Sequence, residues 1–245
     1  MDSDTKRMVN IAVAWCGPVF VLGYIIFWAM LGHNVPPPNV MGMTPEQLVS
    51  EYYGKYQSEI SVGMIGCCVV GLIYTPWSLL LASMLRDDDG QLGVLSMMEA
   101  AGGILTGWVL AFCPAIWGTC AILTNQVSPE LVRSLHVMGW VIYDCTFMVT
   151  SIQLFGLGAY TVLNKKQKIF PAWAGWFAIA VGVIFIPLVL IPFVSEGPFA
   201  VSGMWNFYIV FGTWLFGFFV PYSFFMLKAT MGVSRGAQHT LRPAH

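Results

Sequence analysis

The sequence predicts an all-α polytopic membrane protein: a bundle of six transmembrane helices, a short amphipathic helix at the outer surface, and both termini in the cytoplasm. Three observations carry that prediction. Hydrophobic residues make up 57% of the chain and charged residues only 9%, with a mean hydropathy of +0.72. A soluble domain is about a quarter charged, so most of this surface must face lipid. Six apolar stretches, at roughly 9–32, 60–85, 93–124, 135–163, 172–194 and 204–228, each reach the ~20 residues that cross a bilayer. Finally, the basic residues alternate sides. With the N-terminus inside, Lys6, Arg7, Arg86, Lys165, Lys166, Lys168, Lys228, Arg235 and Arg242 fall on the cytoplasmic side, and only Lys55 and Arg133 fall outside.

The first apolar run, Ile11 to Leu31, exceeds the ~7–15 residues of a signal-peptide core, so it reads as a retained span. Cys16-Gly17-Pro18 predicts a kink in it, because proline frees a carbonyl. The outer loop that follows holds Pro36-Pro37-Pro38, which favours an extended polyproline path. Thr44-Pro45-Glu46-Gln47 then carries a capping-box pattern. Leu48, Tyr52, Tyr53 and Tyr56 share one face of the next turns. That face predicts a helix lying on the outer membrane surface, or a lid over an outward-facing cavity.

The second span contains Gly63, Gly66, Gly71 and Pro76, and Arg86-Asp87-Asp88-Asp89-Gly90 makes a solvated inner turn. The third holds Glu99 and the small-xxx-small pair Gly103 and Gly107, which permits close helix approach. Ser128-Pro129-Glu130 opens the fourth with a hydroxyl cap, a proline and an acid. That stretch is read as one long helix that stops at Asn164-Lys165-Lys166-Gln167-Lys168. Pro187 and Pro192 lie near the outer end of the fifth span, and Gly212, Gly217 and Pro221 in the sixth. Residues 1–230 form one transmembrane domain, and 231–245 read as a flexible cytoplasmic tail.

Two carboxylates, Glu99 and Asp144, fall inside apolar spans, and burying an ionised carboxylate is costly. Counted from the two membrane surfaces they differ in depth by on the order of 20 Å, too far for paired acid–base work, which needs about 10 Å or less. Asp144 shares a helical stripe with His136, Trp140, Tyr143, Phe147 and Ser151. That stripe reads as an aromatic-lined pocket for a small, largely apolar molecule with one polar handle. The plainer reading is a hydrogen bond from Asp144 to a Tyr, Thr or Trp of a neighbouring span. Glu99 is expected to pair with Arg86 or to cap backbone near the inner surface.

Other chemistry finds little footing. Cys16, Cys67, Cys68, Cys113, Cys120 and Cys145 form no CxxC pair and read as packing residues. His33 and His136 belong to no metal-ligand spacing, so no metal site and no cofactor are expected. A net charge of -1 gives no reason to expect nucleic acid as a partner. Membrane lipids, a small hydrophobic ligand and other membrane proteins are the partners this chemistry suits. Binding or transport of a hydrophobic molecule through an outer-facing pocket is the first functional expectation. The alternatives are a membrane enzyme using Asp144, His136 or Glu99 as acid or base, and a non-catalytic accessory subunit.

Four motifs carry a resemblance. They are Pro36-Pro37-Pro38 followed by Tyr52-Tyr53, Leu135-His136-Val137-Met138-Gly139-Trp140, Phe170-Pro171-Ala172-Trp173-Ala174-Gly175-Trp176, and Glu196-Gly197-Pro198-Phe199 leading to Gly203-Met204-Trp205-Asn206. In this order the chain resembles a family of bacterial six-span membrane proteins of unknown function, found in actinobacteria and some proteobacteria. The family has arginine where this chain has Ala172, and usually Thr or an Asp-like residue where it has Glu196. The resemblance implies a multi-pass protein of the bacterial inner (cell) membrane and implies no activity.

Overall fold

The computed structural model describes residues 2–87, 89–166 and 169–232. Six helices in it are long and apolar enough to cross a membrane: α1 (Ser3–Leu31), α2 (Pro45–Ser83), α3 (Val94–Leu123), α4 (Pro129–Leu163), α5 (Ala172–Phe193) and α6 (Met204–Gly232). The described residues form no strand, only one isolated bridge between Arg86 and Leu92. Lys168 and nearly all of the expected tail, from residue 233 on, lie outside the described residues.

Consecutive helices pack side by side, and α6 returns to α1, closing a ring. The first turns of α1 and the last turn of α6 meet at one end of the bundle, where the Arg7 guanidinium donates to the Met231 carbonyl at 3.4 Å. The Asp2 carboxylate caps α1 by accepting from Thr5 N at 2.8 Å and Thr5 Oγ1 at 2.9 Å. Those bonds hold the Asp2 carboxyl below its ordinary range. They also explain why α1 begins at Ser3, before the apolar run does.

The tightest contact joins α2 to α3. Gly103 and Gly107 face α2: a Cβ on Gly103 would stand 1.7 Å from Ser78 Oγ, and one on Gly107 2.6 Å from Thr75 Oγ1. The small-xxx-small pair therefore does what its spacing predicts. On the other side of α3, a Cβ on Gly102 would stand 2.5 Å from the Val149 carbonyl of α4. The ring's interior is filled by aromatic side chains, among them Phe20, Tyr74, Trp77, Phe218 and Phe219.

Two helices differ from their expected form. The capping box at Thr44 and Gln47 is present, but the short helix it opens runs on into the second span and bends at Tyr56 (φ -124, ψ 24). Gly54 and the bend at Tyr56 do not stop the helix, and the Leu48, Tyr52, Tyr53 face is buried in the bundle. The long fourth helix is interrupted: Pro129–Cys145 and Met148–Leu163 are helical, and Thr146 between them is not (φ -89, ψ 18). Thr146 Oγ1 donates to the Ile142 carbonyl at 2.6 Å, a side-chain bond that bends helices. The break falls two residues after Asp144.

Irregular turns recur around the ring, among them the π-helical Leu48–Tyr53 of α2. Wide π-type turns run through Ile25–Leu31 of α1 and through Met204–Val210 and Thr213–Phe219 of α6. The end of α5, Ile186–Phe193, tightens to a 3-10 helix around Pro187 and Pro192. Such turns are frequent at functional sites.

Candidate functional site

The stripe on α4 meets three different surroundings. His136, 1% exposed, lies buried against α2. Its Nδ1 is 2.5 Å from Tyr53 Oη, and its Nε2 accepts from Trp140 Nε1 at 2.9 Å. An indole N–H only donates, so the ring proton sits on Nδ1, toward Tyr53. Trp117 closes the group, donating to the His136 carbonyl at 3.2 Å. Both ring nitrogens of His136 are thus engaged. Ser151 donates to the Gly182 carbonyl at 3.1 Å and fastens α4 to α5.

Glu99, fully buried, sits in a polar knot joining α2, α3 and α4. Its Oε1 accepts from Ser78 Oγ at 2.8 Å and from Gln153 Nε2 at 2.9 Å. Gln153 Nε2 also reaches Ser78 Oγ at 3.2 Å, and its Oε1 accepts from Tyr74 Oη at 2.7 Å. Arg86, the expected partner, instead donates to the Gly90 carbonyl at 2.7 Å. It stands beyond the end of α2, whereas Ser78 is on the helix face that Gly103 admits.

Asp144, 2% exposed, has a sparser setting. Its carboxylate takes one hydrogen bond, from Asn206 Nδ2 of α6 at 3.3 Å. It lines a cavity of about 50 Å³ with Thr106, Tyr143, Phe147, Thr150, Phe211 and Trp214, among others. That volume holds roughly three water-sized groups. Tyr143 Oη lies 3.2 Å from Tyr24 Oη, and Thr106 Oγ1 lies 2.9 Å from Thr150 Oγ1.

Phe211 and Trp214 also line a second space, a groove of about 320 Å³ between α1 and α6. Its rim includes Ile25, Tyr208 and Phe216, which are 42%, 57% and 70% exposed. The groove therefore opens on the apolar outer surface of the ring. Two aromatic rings are all that the two spaces share as a wall.

Of the six residues singled out in the sequence, Asp144 and Tyr143 meet at the cavity. His136 and Trp140 belong to the Tyr53 group, Ser151 to the α5 contact, and Glu99 to the Ser78–Gln153 knot. Glu99 and Asp144 are separate sites. Gln153, which touches Glu99, lies nine residues beyond Asp144 on the same helix, about 13 Å of helical rise. Asn206 and Gln153 were the unread signal, since each is an amide in an apolar run. Among the described residues no three His, Cys, Asp or Glu side chains gather as a metal site would need.

Comparisons of the chain with protein-family models, curated proteins and solved structures each find no match. The functional reading therefore rests on the geometry alone.

Proposed function

We propose that this protein binds a small hydrophobic molecule beside Asp144, as a binding or transport component of the membrane it spans. The single observation that supports this most is the shared wall: a small polar cavity and a larger apolar groove separated by Phe211 and Trp214. The groove, at about 320 Å³, falls in the ~300–1,000 Å³ range of small-molecule sites. A molecule dissolved in the bilayer reaches it sideways, without crossing water. The basic-residue bias supports cytoplasmic termini, which puts the Asp144 cavity in the outer half of the membrane. The four motifs support a bacterial cell membrane and the six-span family that shares them.

The experiment is extraction into nanodiscs without delipidation, followed by mass spectrometry of whatever non-protein molecule is retained. Wild type is expected to keep a stoichiometric small molecule that Asp144→Asn, folded and expressed normally, loses. An empty wild-type protein, or a variant that retains the molecule equally, sinks the proposal. Co-purification of a defined membrane protein with no small molecule would favour the accessory-subunit alternative instead.

A further inference from the structure

The chemistry of that ligand can be narrowed at the same cavity, and the inference rests on the reading just given. A carboxylate has about four acceptor positions, and Asp144 has one filled, by a long bond from Asn206. Asn206 has no donor left to offer. Its amide nitrogen serves both Asp144 and the Val201 carbonyl, the latter at 2.8 Å, while its own Oδ1 is buried without a partner. The pair therefore carries spare acceptors.

No counter-charge answers Asp144 from within the protein. Among the described residues the one ion pair is His33 with Glu59. The cavity lining includes the ring systems of Tyr143, Phe147, Phe211 and Trp214, beside the hydroxyls of Thr106 and Thr150. Aromatic faces carry negative quadrupole density and attract alkylammonium groups, more strongly where water is excluded. A neutral donor would fill the acceptors alone, whereas a protonated amine brings an N–H donor together with the counter-charge that lets the carboxyl ionise.

We infer that the ligand is an amphiphilic organic cation, a protonated alkylamine that keeps an N–H donor. Its head occupies the Asp144 cavity, and its apolar tail passes between Phe211 and Trp214 into the groove between α1 and α6. The sizes agree with this division. The inner space fits a compact head, and the outer one fits a chain against Tyr24 and Trp28.

The test compares two labelled probes on protein in nanodiscs of zwitterionic lipid, with empty nanodiscs as background. One probe is hexyldimethylammonium, whose head carries one N–H donor. The other is its carbon isostere, with an isopropyl group in place of the dimethylammonium. The cation is expected to bind about tenfold more tightly or better. Asp144→Asn should erase that advantage while leaving the isostere's binding unchanged. Equal binding of both probes overturns the cation assignment and leaves the pocket reading standing. Binding of neither above empty nanodiscs overturns both. Should Asp144→Asn fail to fold, Phe147→Leu removes one ring face at similar volume. It should lower the cation's affinity about fivefold and spare the isostere, and an equal fall for both would overturn the inference.

Discussion

Glu99 and Asp144 are the same kind of group in the same membrane, and they are held in opposite ways. Glu99 shares one oxygen between Ser78 and Gln153, inside the closely packed α2–α3–α4 side of the ring. Asp144 has one bond of 3.3 Å and a cavity beside it, walled in part by the irregular stretches of α5 and α6. The first arrangement uses one carboxylate oxygen to hold three helices together, while Oε2 is buried without a partner. The second leaves its carboxylate one weak bond beside open space. An intramembrane acid is a flag for function, but the number of partners it already has decides whether the function is structural.

The largest expected effect would sharpen that contrast. Glu99→Leu strands a buried serine hydroxyl and a glutamine amide together, and should cost about 3 kcal/mol in detergent unfolding. Glu99→Gln, which keeps an acceptor for both, should stay within about 1 kcal/mol. Next comes Gly102→Ala, whose methyl would stand 2.5 Å from the Val149 carbonyl and 2.6 Å from Gln153 N. Backbone cannot yield cheaply there, so about 2 kcal/mol is expected by the same assay. Asp144→Leu should cost less than about 1 kcal/mol, since it forfeits one weak bond and adds apolar contact. If it destabilises the protein as much as Glu99→Leu does, the two carboxylates do not differ and the contrast fails. The smallest effect is Thr146→Ala, about 0.5 kcal/mol, which removes the hydroxyl that takes the Ile142 carbonyl. Its more telling readout is probe binding, which should weaken if the break in α4 is what sets Asp144 toward the cavity.

The six spans were legible because a bilayer demands ~20 apolar residues in a row, and nothing else in a chain looks like that. Their ends were less so. Asp2 and Thr44 start α1 and α2 well before the apolar runs begin, and capping is a matter of local polar bonds rather than of hydropathy. The carboxylates were legible one by one. Their partners were not, because Gln153 and Asn206 lie on other helices, and the sequence does not record how each helix is rotated about its axis. The stripe from His136 to Ser151 predicted one surface. The break at Thr146 and three different neighbouring helices divide it into three.

Pro114 stands four residues after Leu110 in α3, so the Leu110 carbonyl has no intrahelical donor. Tyr24 of α1 supplies one at 3.2 Å. Gly71 lets α2 approach the same spot, its would-be Cβ lying 2.6 Å from that oxygen. In hydrocarbon an unanswered backbone group costs several kcal/mol. Alone in the bilayer, α3 is therefore an unfinished helix, completed only when the right tyrosine arrives from a helix synthesised before it. A wrong neighbour leaves the carbonyl bare. The proline thus makes the packing of α1 and α2 part of the stability of α3.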